Sequence, residues 1–415
     1  MKHGVSCDFE GGASPYSPPN LERHSTADSR GHYSSKPSHF SANSTPGRFS
    51  VSSPGSVNSM IPIYSTPSEM IRSTTAPGGS RMLELKLMHH FTARTSQTLS
   101  ETADQQSAWR MHIPSLAYET DFLMDAILAV SALHLRSQTP NDQAIVRASH
   151  SYMASALAQY STLLNGRVSA LNAEALFATS ALIAFQASAG RFFEEDKPGS
   201  YTLPLAWFHS FQGVKAVVMA SWQWLRTSEK IYPIINGQPA LALDPDPHRK
   251  LFFSTLLDGM DEDLLSVPES MRAVTKQAYQ HSISFLNWSH VRPVRARILG
   301  FAAAVSRRFV DLIDQCDPRA LVIVACFFAL TKRVDDVWWL KGVAKREVNG
   351  IFSLLPPDWW PKMEWPLMIA NHEGEITDDL WGIGIREFKV EDCEQPVYDH
   401  IDILAQLMAD QIPLD

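Results

Sequence analysis

The chain has few cysteines for its length. Its 415 residues include only four, and these are scattered: Cys7, Cys316, Cys326 and Cys393. A disulfide framework or a self-contained zinc site needs more cysteines at closer spacing. The composition therefore argues against a disulfide-stabilised secreted domain and indicates a reducing compartment.

Catalytic motifs are absent as well. The sequence contains no G-x-S-x-G elbow, no Walker loop and no G-x-G-x-x-G turn. The segment His372-Glu373-Gly374-Glu375 begins like an H-E-x-x-H zinc motif but lacks the second histidine. With no catalytic constellation to name, we predict that the protein is not an enzyme.

Two acidic clusters keep one enzyme class open as a disfavoured alternative, the all-α enzymes of terpenoid metabolism. Asp335-Asp336 starts a DDxx(D/E) pattern of the kind that holds magnesium against a diphosphate, but Trp339 occupies the third position. The second cluster comprises Asp258, Asp261, Glu262 and Asp263. The further metal-binding motif expected downstream does not follow, so a solvated helix end is the simpler interpretation.

Long apolar segments and net positive charge are also lacking. A membrane helix needs roughly 20 apolar residues; we find no segment of that length, and the polar start at Met1 does not suit a signal peptide. The formal net charge is −8, and beyond residue 80 the balance is 30 Lys/Arg against 39 Asp/Glu. An acidic surface repels a polyanion, so this part should not bind DNA by itself.

The first eighty residues differ from the rest of the chain. They hold nineteen Ser and nine Pro with few large aliphatic residues. Such a segment cannot bury enough apolar surface to offset its chain entropy. We therefore predict disorder up to about Ser80 and one ordered unit over 81–415, which is long enough for a large core.

The ordered unit is predicted to be all-α, because the alternating patterns typical of strands are absent. Leu83, Leu87 and Phe91 repeat along one helix face, and the nearly all-apolar segment 122–135 indicates an interior helix. Breaks at glycine and proline delimit the remaining predicted helices, which cover 142–164, 173–191, 204–226, 248–258, 269–287 and 292–315.

The most apolar stretch of the chain is Ala320 to Ala329, ten apolar residues in a row. It follows Asp317-Pro318, a pair that suits the N-cap and first turn of a helix. We predict a buried helix here, although periodicity alone leaves a buried strand open. Five of the eleven tryptophans follow shortly afterwards, Trp338, Trp339, Trp359, Trp360 and Trp365, and they require a substantial core.

The histidines are predicted to be structural. His89 and His90 are adjacent on a helix, so their side chains point about 100° apart and cannot both face one metal ion. No Cys, His or carboxylate accompanies His134 at helical spacing. It is therefore expected to be a hydrogen-bonded core histidine rather than a ligand or a base.

Several of these stretches resemble a known family. The pattern Pro-x-Ala-Leu-Val-Ile-x-Ala at 318–325, Trp-Trp-Leu-x-Gly at 338–342, and Glu-Trp-Pro at 364–366 resembles the regulatory domain of fungal zinc-cluster transcription factors, which include the sterol uptake control proteins. The segments 82–91 and 122–135 resemble the same domain. The resemblance is weak between 190 and 290 and after 370.

The start of the chain resembles the end of that family's binuclear zinc cluster. In KHGVSCDF at residues 2–9, Cys7 aligns with the sixth metal ligand, and the fifth would lie one position before Met1. Because such a cluster needs six thiolates, zinc is expected only if the missing cysteines are restored upstream. On this resemblance, residues 1–8 are a cluster remnant, 9–80 a Ser/Pro-rich linker, and 81–415 a helical regulatory domain. A chance match of so short a segment is the alternative.

The resemblance implies a nuclear regulator of RNA polymerase II genes, in a sterol or secondary-metabolite pathway, with shuttling to the cytoplasm as a further expectation. Promoter DNA would be bound only through the missing cluster, and a homodimer or co-regulator proteins are the expected partners. The alternative is a truncated interaction protein that lacks DNA binding and dimerises with or competes with full-length zinc-cluster factors. A sterol or lipid-like ligand is predicted for the helical domain, with ordinary core packing as the alternative; its binding residues are not predicted.

Overall fold

Every regular element in the part of the chain that the structure describes is helical. The computed structural model describes residues 81–194, 201–236 and 251–382, and none of them lies in a strand. The α-helices in these ranges are α1 Arg81–His90, α2 Ser96–Thr98, α3 Ala103–Ser107, α4 Ile113–Ala117, α5 Asp121–Gln138, α6 Gln143–Leu164, α7 Ala173–Gly190, α8 Leu205–Leu225, α9 Tyr232–Asn236, α10 Met260–Asp263, α11 Glu269–Val291, α12 Arg295–Leu299, α13 Phe301–Ala304, α14 Arg307–Asp314, α15 Pro318–Thr331, α16 Val343–Leu354, α17 Glu364–Asn371 and α18 Asp378–Trp381. The predicted all-α fold is confirmed.

Shorter turns connect several of these helices. Two are π-helical, Phe91–Thr95 and Ala108–His112, and they join α1 to α2 and α3 to α4 without a break. The others are 3₁₀ turns at Arg191–Phe193, Phe252–Leu257, Leu264–Ser266, Lys332–Val334 and Pro357–Met363.

Two of the predicted helices were wrong. The described part of 248–258 forms the 3₁₀ turn Phe252–Leu257 rather than an α-helix. The single helix expected over 292–315 is instead three short ones, α12, α13 and α14. Val305 takes an extended conformation, and the Ser306 side chain then caps α14 by accepting from Phe309 N at 3.2 Å. Val305 therefore ends α13 and the Ser306 cap starts α14. The apolar pattern of the sequence runs through both positions and does not show this break.

Helix α15 lies at the centre of the C-terminal half. The Asp317 carboxylate accepts from Ala320 N at 2.8 Å, and Pro318 occupies the first turn. All residues from Arg319 to Thr331 are buried. The predicted buried helix is confirmed, and the strand alternative is wrong. Helices α11, α12, α14, α16 and α17 pack around it.

Helix α5 has the same role in the N-terminal half, where it packs against α1, α4, α6 and α7. Ser131 on α5 donates to the Leu87 carbonyl of α1 at 2.6 Å, and both residues are fully buried. Helix α8 joins the two halves, because it packs on α7 at one side and on α13 and α14 at the other. Its Trp207 ring meets Phe328 of α15 edge-on at 5.5 Å.

A buried ion pair adds a second connection between the halves. Arg191, directly after α7, donates from Nε and Nη2 to the two carboxylate oxygens of Glu347 on α16, at 2.8 and 2.7 Å. Arg191 is 6% exposed and Glu347 is 0% exposed. Tyr201 donates its hydroxyl to Glu347 at 2.9 Å, and burial together with this carboxylate raises the pKa of Tyr201. Together these three donors satisfy a carboxylate that would otherwise be costly to bury.

One sequence expectation about membranes needs correction. The continuous helical stretch Ala173–Phe193, which contains α7, has 21 residues and is apolar enough to cross a membrane by length and composition. Within its most apolar window, however, 61% of the residues are buried inside the protein. Core helices of soluble proteins pass the same test, so the stretch is weak evidence for a membrane span.

Gly350 in α16 provides a test of this packing. A Cβ atom at position 350 would overlap the Tyr201 ring, whereas one at Gly213 of α8 would have nothing within 4 Å. We expect Gly350→Ala to lower the free energy of unfolding by about 1–3 kcal/mol through overpacking. Gly213→Ala should be neutral or stabilising by up to about 1 kcal/mol, since alanine favours helices. Urea unfolding measures the free energy of unfolding of both variants. Equal changes in that free energy for Gly350→Ala and Gly213→Ala would contradict the close contact between Gly350 and Tyr201.

Candidate functional site

A histidine–tryptophan cluster joins the two halves of the fold near the end of α5. The His134 ring lies flat against Trp338, with centroids 4.9 Å apart and an interplanar angle of 7°. Its Nδ1 is 3.0 Å from the Thr95 hydroxyl, and the His90 ring lies 4.9 Å away. His134 is only 6% exposed. It is the hydrogen-bonded core histidine that the sequence predicts.

The electrostatics of this cluster keep both imidazoles uncharged near neutral pH. Burial lowers the pKa of His134 to about 4, and the neighbouring His90 and Arg94 act in the same direction. Burial also lowers the pKa of His90. His89 is exposed and His90 is half-buried, so the adjacent pair diverges as helical geometry requires. The cluster is a packing contact between neutral rings.

The tryptophan pair extends this contact into the core. Phe185 of α7 meets Trp338 edge-on at 6.2 Å and Trp339 edge-on at 5.0 Å. Trp339 also lies 6.3 Å from Trp207 on α8. The pair therefore holds the segment after α15 against α5, α7 and α8. Of the five tryptophans noted in the sequence, Trp339 is buried, Trp338, Trp359 and Trp365 are partly buried, and Trp360 is 48% exposed.

The two acidic clusters of the sequence form ion pairs in the structure. Asp336 is exposed and pairs with Arg295 at 3.0 Å, and burial raises the pKa of its neighbour Asp335. Asp261 pairs with Lys276 at 2.7 Å. Within 81–194, 201–236 and 251–382, no group of three or more His, Cys, Asp or Glu side chains could hold a metal ion.

Asp263, from the second acidic cluster, belongs to a cavity at the N-terminus of α15. The cavity has a volume of about 170 Å³ and is lined by Asp263, Leu264, Ser266, Val267, Tyr279, Asp317, Pro318, Arg319 and Trp359. It lies between the start of α15, the middle of α11 and the turn that contains Trp359. We call it the Arg319 cavity.

Arg319 is the buried charge of this cavity, with 3% of its surface exposed. Its guanidinium donates to the carbonyls of Leu256 and Asp258 and to the carboxylate of Asp263. It also lies over the Trp359 ring, with Cζ 5.2 Å from the ring centroid. Asp263 is 47% exposed, so it can contact both Arg319 and the solvent.

Tyr279 completes the polar wall. Burial, followed by the charge of the Asp317 carboxylate, raises the pKa of Tyr279. Sequence reasoning missed both Arg319 and Tyr279. A signal was present for Arg319, because an arginine within the first turn of a fully apolar helix must find partners when that helix is buried. No local pattern indicates Tyr279, which comes from another helix.

The cysteines of the described residues do not fit a zinc cluster. Cys326 is buried in α15, and burial raises the pKa of its thiol, which disfavours the thiolate that binds metals. Cys316 is exposed and has no disulfide partner. Cys7, the predicted sixth ligand, and Cys393 lie outside the described residues. The ligand role of Cys7 therefore stays a prediction.

The pKa of His134 predicts a loss of stability in acid. Its folded-state pKa of about 4 lies below the ordinary value of 6.5, so the unfolded chain takes up the proton first as pH falls. The contribution is complete above about 6.5 and is lost as pH falls towards 4. In urea unfolding at several pH values, His134→Gln should reduce this decline, whereas the exposed control His89→Gln should leave it unchanged. An unchanged decline in His134→Gln would contradict the assignment.

Comparison with known proteins identifies the family. A family model described as the fungal specific transcription factor domain matches residues 86–194. A Zn(2)-C6 fungal-type transcription factor of Gibberella zeae is 45% identical over 366 residues, covering 83% of this chain and 74% of the relative. The sterol uptake control protein 2 of Candida albicans is 26% identical over 333 residues and that of Saccharomyces cerevisiae 27% over 286.

The extent of these matches differs. This chain covers 45% of the Candida protein and 30% of the Saccharomyces protein, so it spans less than half of either. The Gibberella relative is matched over most of its own length. The chain belongs to the fungal Zn(2)-C6-type transcription factors and acts as a transcriptional regulator.

Proposed function

We propose that this chain supplies the effector and regulatory part of a nuclear regulator of RNA polymerase II genes. The observation that carries the proposal is the 45% identity to the Gibberella zeae transcription factor, which extends over 83% of this chain. The acidic balance of the sequence beyond residue 80 supports a role in protein contacts rather than in direct DNA binding.

DNA binding would require a zinc cluster in which Cys7 is one ligand. The relatives are named for such a cluster, and the described residues of this chain offer no metal site. The sequence encoded immediately before the Met1 codon is the direct test. Further cysteines and a basic stretch in frame there, or across an intron, would support DNA binding through Cys7. Their absence would favour the alternative of an interaction protein that pairs with full-length relatives.

Two relatives named as sterol uptake control proteins support a role in a sterol pathway, with secondary metabolism as the other candidate. They also motivate the proposal of a sterol or lipid-like ligand. Most of the buried apolar side chains of α5 share one continuous core with those of α15, which supports the alternative of ordinary core packing. A thermal unfolding midpoint that ergosterol leaves unchanged would count against the sterol ligand.

The regulator function itself is tested by tethering. We expect the full chain, fused to an unrelated DNA-binding domain, to change transcription of a reporter that carries the matching operator, upwards for an activator and downwards for a repressor. The fusion should also be found in the nucleus. The matched control is the same fusion with Glu347→Ala, which removes the buried carboxylate that Arg191 and Tyr201 contact, leaves Arg191 with the half-exposed Glu194, and should destabilise the domain by about 3 kcal/mol.

The outcome is decided by comparison with the DNA-binding domain alone. Reporter output equal to that of the unfused domain, at equal nuclear protein levels, would contradict an effector role. Output that the Glu347→Ala fusion reproduces in full would show that the folded domain is not responsible.

A further inference from the structure

We propose that the outer face of α1 is a docking surface for the C-terminal segment of the same chain, residues 397–412. This inference goes beyond the regulator function, because it assigns a binding partner to one surface of the helical domain. It rests on apolar side chains that α1 leaves uncovered, on cations beside them that are unpaired in the described part of the chain, and on the charge and periodicity of the segment's sequence.

Helix α1 carries a strip of uncovered apolar side chains. Met82 is 72% exposed and Leu85 is 55% exposed, the two highest values for large apolar residues in the described α-helices. Met88 is half-buried and lies three residues further on. Residues three apart are neighbours on a helix surface, so these side chains form one continuous strip, which we call the α1 face. Leu87 points into the protein and is fully buried.

One flank of the α1 face is positively charged. Lys86 and Arg94 are exposed, and neither side chain forms an ion pair or a hydrogen bond among the described residues. The pKa of His90 is lowered first by burial and then by the charges of Arg94 and Lys86. Within the described ranges, no carboxylate counteracts them at His90. This flank therefore attracts an anionic partner.

Carboxylates occupy the other flank. Glu84 accepts from the Tyr152 hydroxyl of α6 at 3.3 Å. Burial raises the pKa of Asp125 on α5, and the nearby charges of Asp121 and Glu84 act in the same direction. Adjacent helical residues point about 100° apart, so Glu84 and Lys86 lie on different sides of the helix. A partner must therefore present its negative charge to one side of the α1 face only.

The C-terminal segment lies outside the described residues, and its sequence carries the complementary pattern. It contains three Asp and no Lys or Arg. In a helix, with about 100° per residue, Asp399, Asp402 and Asp410 would fall within about 80° of one another, which places the charge on one side. Apolar residues recur at the spacing of a helix face, at Val397, Ile401, Leu404, Met408 and Ile412.

The two patterns fit together in one orientation. The apolar side of the segment covers the strip of Met82 and Leu85, which removes apolar surface from water. Its carboxylates then lie towards Lys86 and Arg94 and away from Glu84. Exposed ion pairs add little affinity, but opposite charges on one flank and like charges on the other fix the orientation of a partner.

The connection between the described residues and the segment is long enough for this contact. Residues 383–396 span up to about 45 Å when extended. The described chain ends one residue after Trp381, whose ring lies 4.1 Å from Arg333 Cζ. Trp338 is five residues further on, and a series of ring contacts leads from it to His90 at the end of α1. The segment can therefore reach α1 of its own chain.

Two other exposed apolar side chains are less suitable for an acidic segment. Leu265 is 70% exposed but follows three consecutive carboxylates, residues 261–263. Trp360 is 48% exposed and lies between Asp358 and Glu364 in the sequence. Because like charges repel, the α1 face is the better match.

Photo-cross-linking of the full chain tests the contact. A benzophenone-bearing residue in place of Leu85 should cross-link within the monomer to peptides from 397–412, identified by mass spectrometry. The matched control carries the same residue in place of Leu171, which is 98% exposed in the loop before α7. This control should give no cross-link to the segment, because exposure alone does not produce the contact.

Variants of the cross-linking chain separate the apolar and electrostatic contributions. Leu404→Asp places a charge in the apolar stripe and should abolish the cross-link. Lys86→Glu combined with Arg94→Glu should lower its yield by about 2–5-fold, the range expected for exposed charge pairs. The matched control reverses two exposed cations elsewhere, Arg110→Glu with Arg167→Glu, and should leave the yield unchanged. Circular dichroism confirms that each variant is folded.

Four results would overturn the proposal: no cross-link from position 85 to the segment, an equal cross-link from position 171, a cross-link that joins two copies of the chain, or a yield that Leu404→Asp leaves unchanged. A cross-link between copies would assign the α1 face to self-association instead. None of these results bears on the reporter experiment, which measures transcriptional output wherever the segment lies. Failure of the docking proposal is therefore distinguishable from failure of the regulator function.

Discussion

The structure depends on one constraint, the burial of α15 on every side. A helix that is apolar all round gains stability only if other elements cover its whole circumference. Helices α11, α12, α14, α16 and α17 do so, and α8 reaches it through Trp207. Because α8 also packs on α7, the burial of α15 determines how the N-terminal helices around α5 are attached.

Burial of this kind brings charges into the core, and two arginines show how they are accommodated. Arg191 is held by Glu347, and Arg319 is held by backbone carbonyls and by Asp263. A buried pair adds little net stability compared with apolar packing, but removing one partner is costly. These pairs therefore define where α7 sits relative to α16 and where α10 sits relative to α15.

The sequence predicts the helices well where an apolar pattern is long. Helices α5 and α15 are recognisable because nearly every residue is apolar, and α6, α7, α8 and α11 are confirmed close to their predicted bounds. The region 292–315 is not predictable in the same way, because its breaks depend on Val305 and Ser306. Long-range contacts are not accessible at all: Arg191 and Glu347 are 156 residues apart, and periodicity describes only neighbours.

Hydrogen exchange at the amides of α15 tests the central constraint most directly. If α15 is enclosed on all sides, its amides from Leu321 to Leu330 exchange only when the whole domain unfolds. Their exchange free energies should then equal the free energy of unfolding obtained from urea titration of the same chain. Exchange of these amides at a much lower free energy, while those of α6 remain protected, would contradict the account.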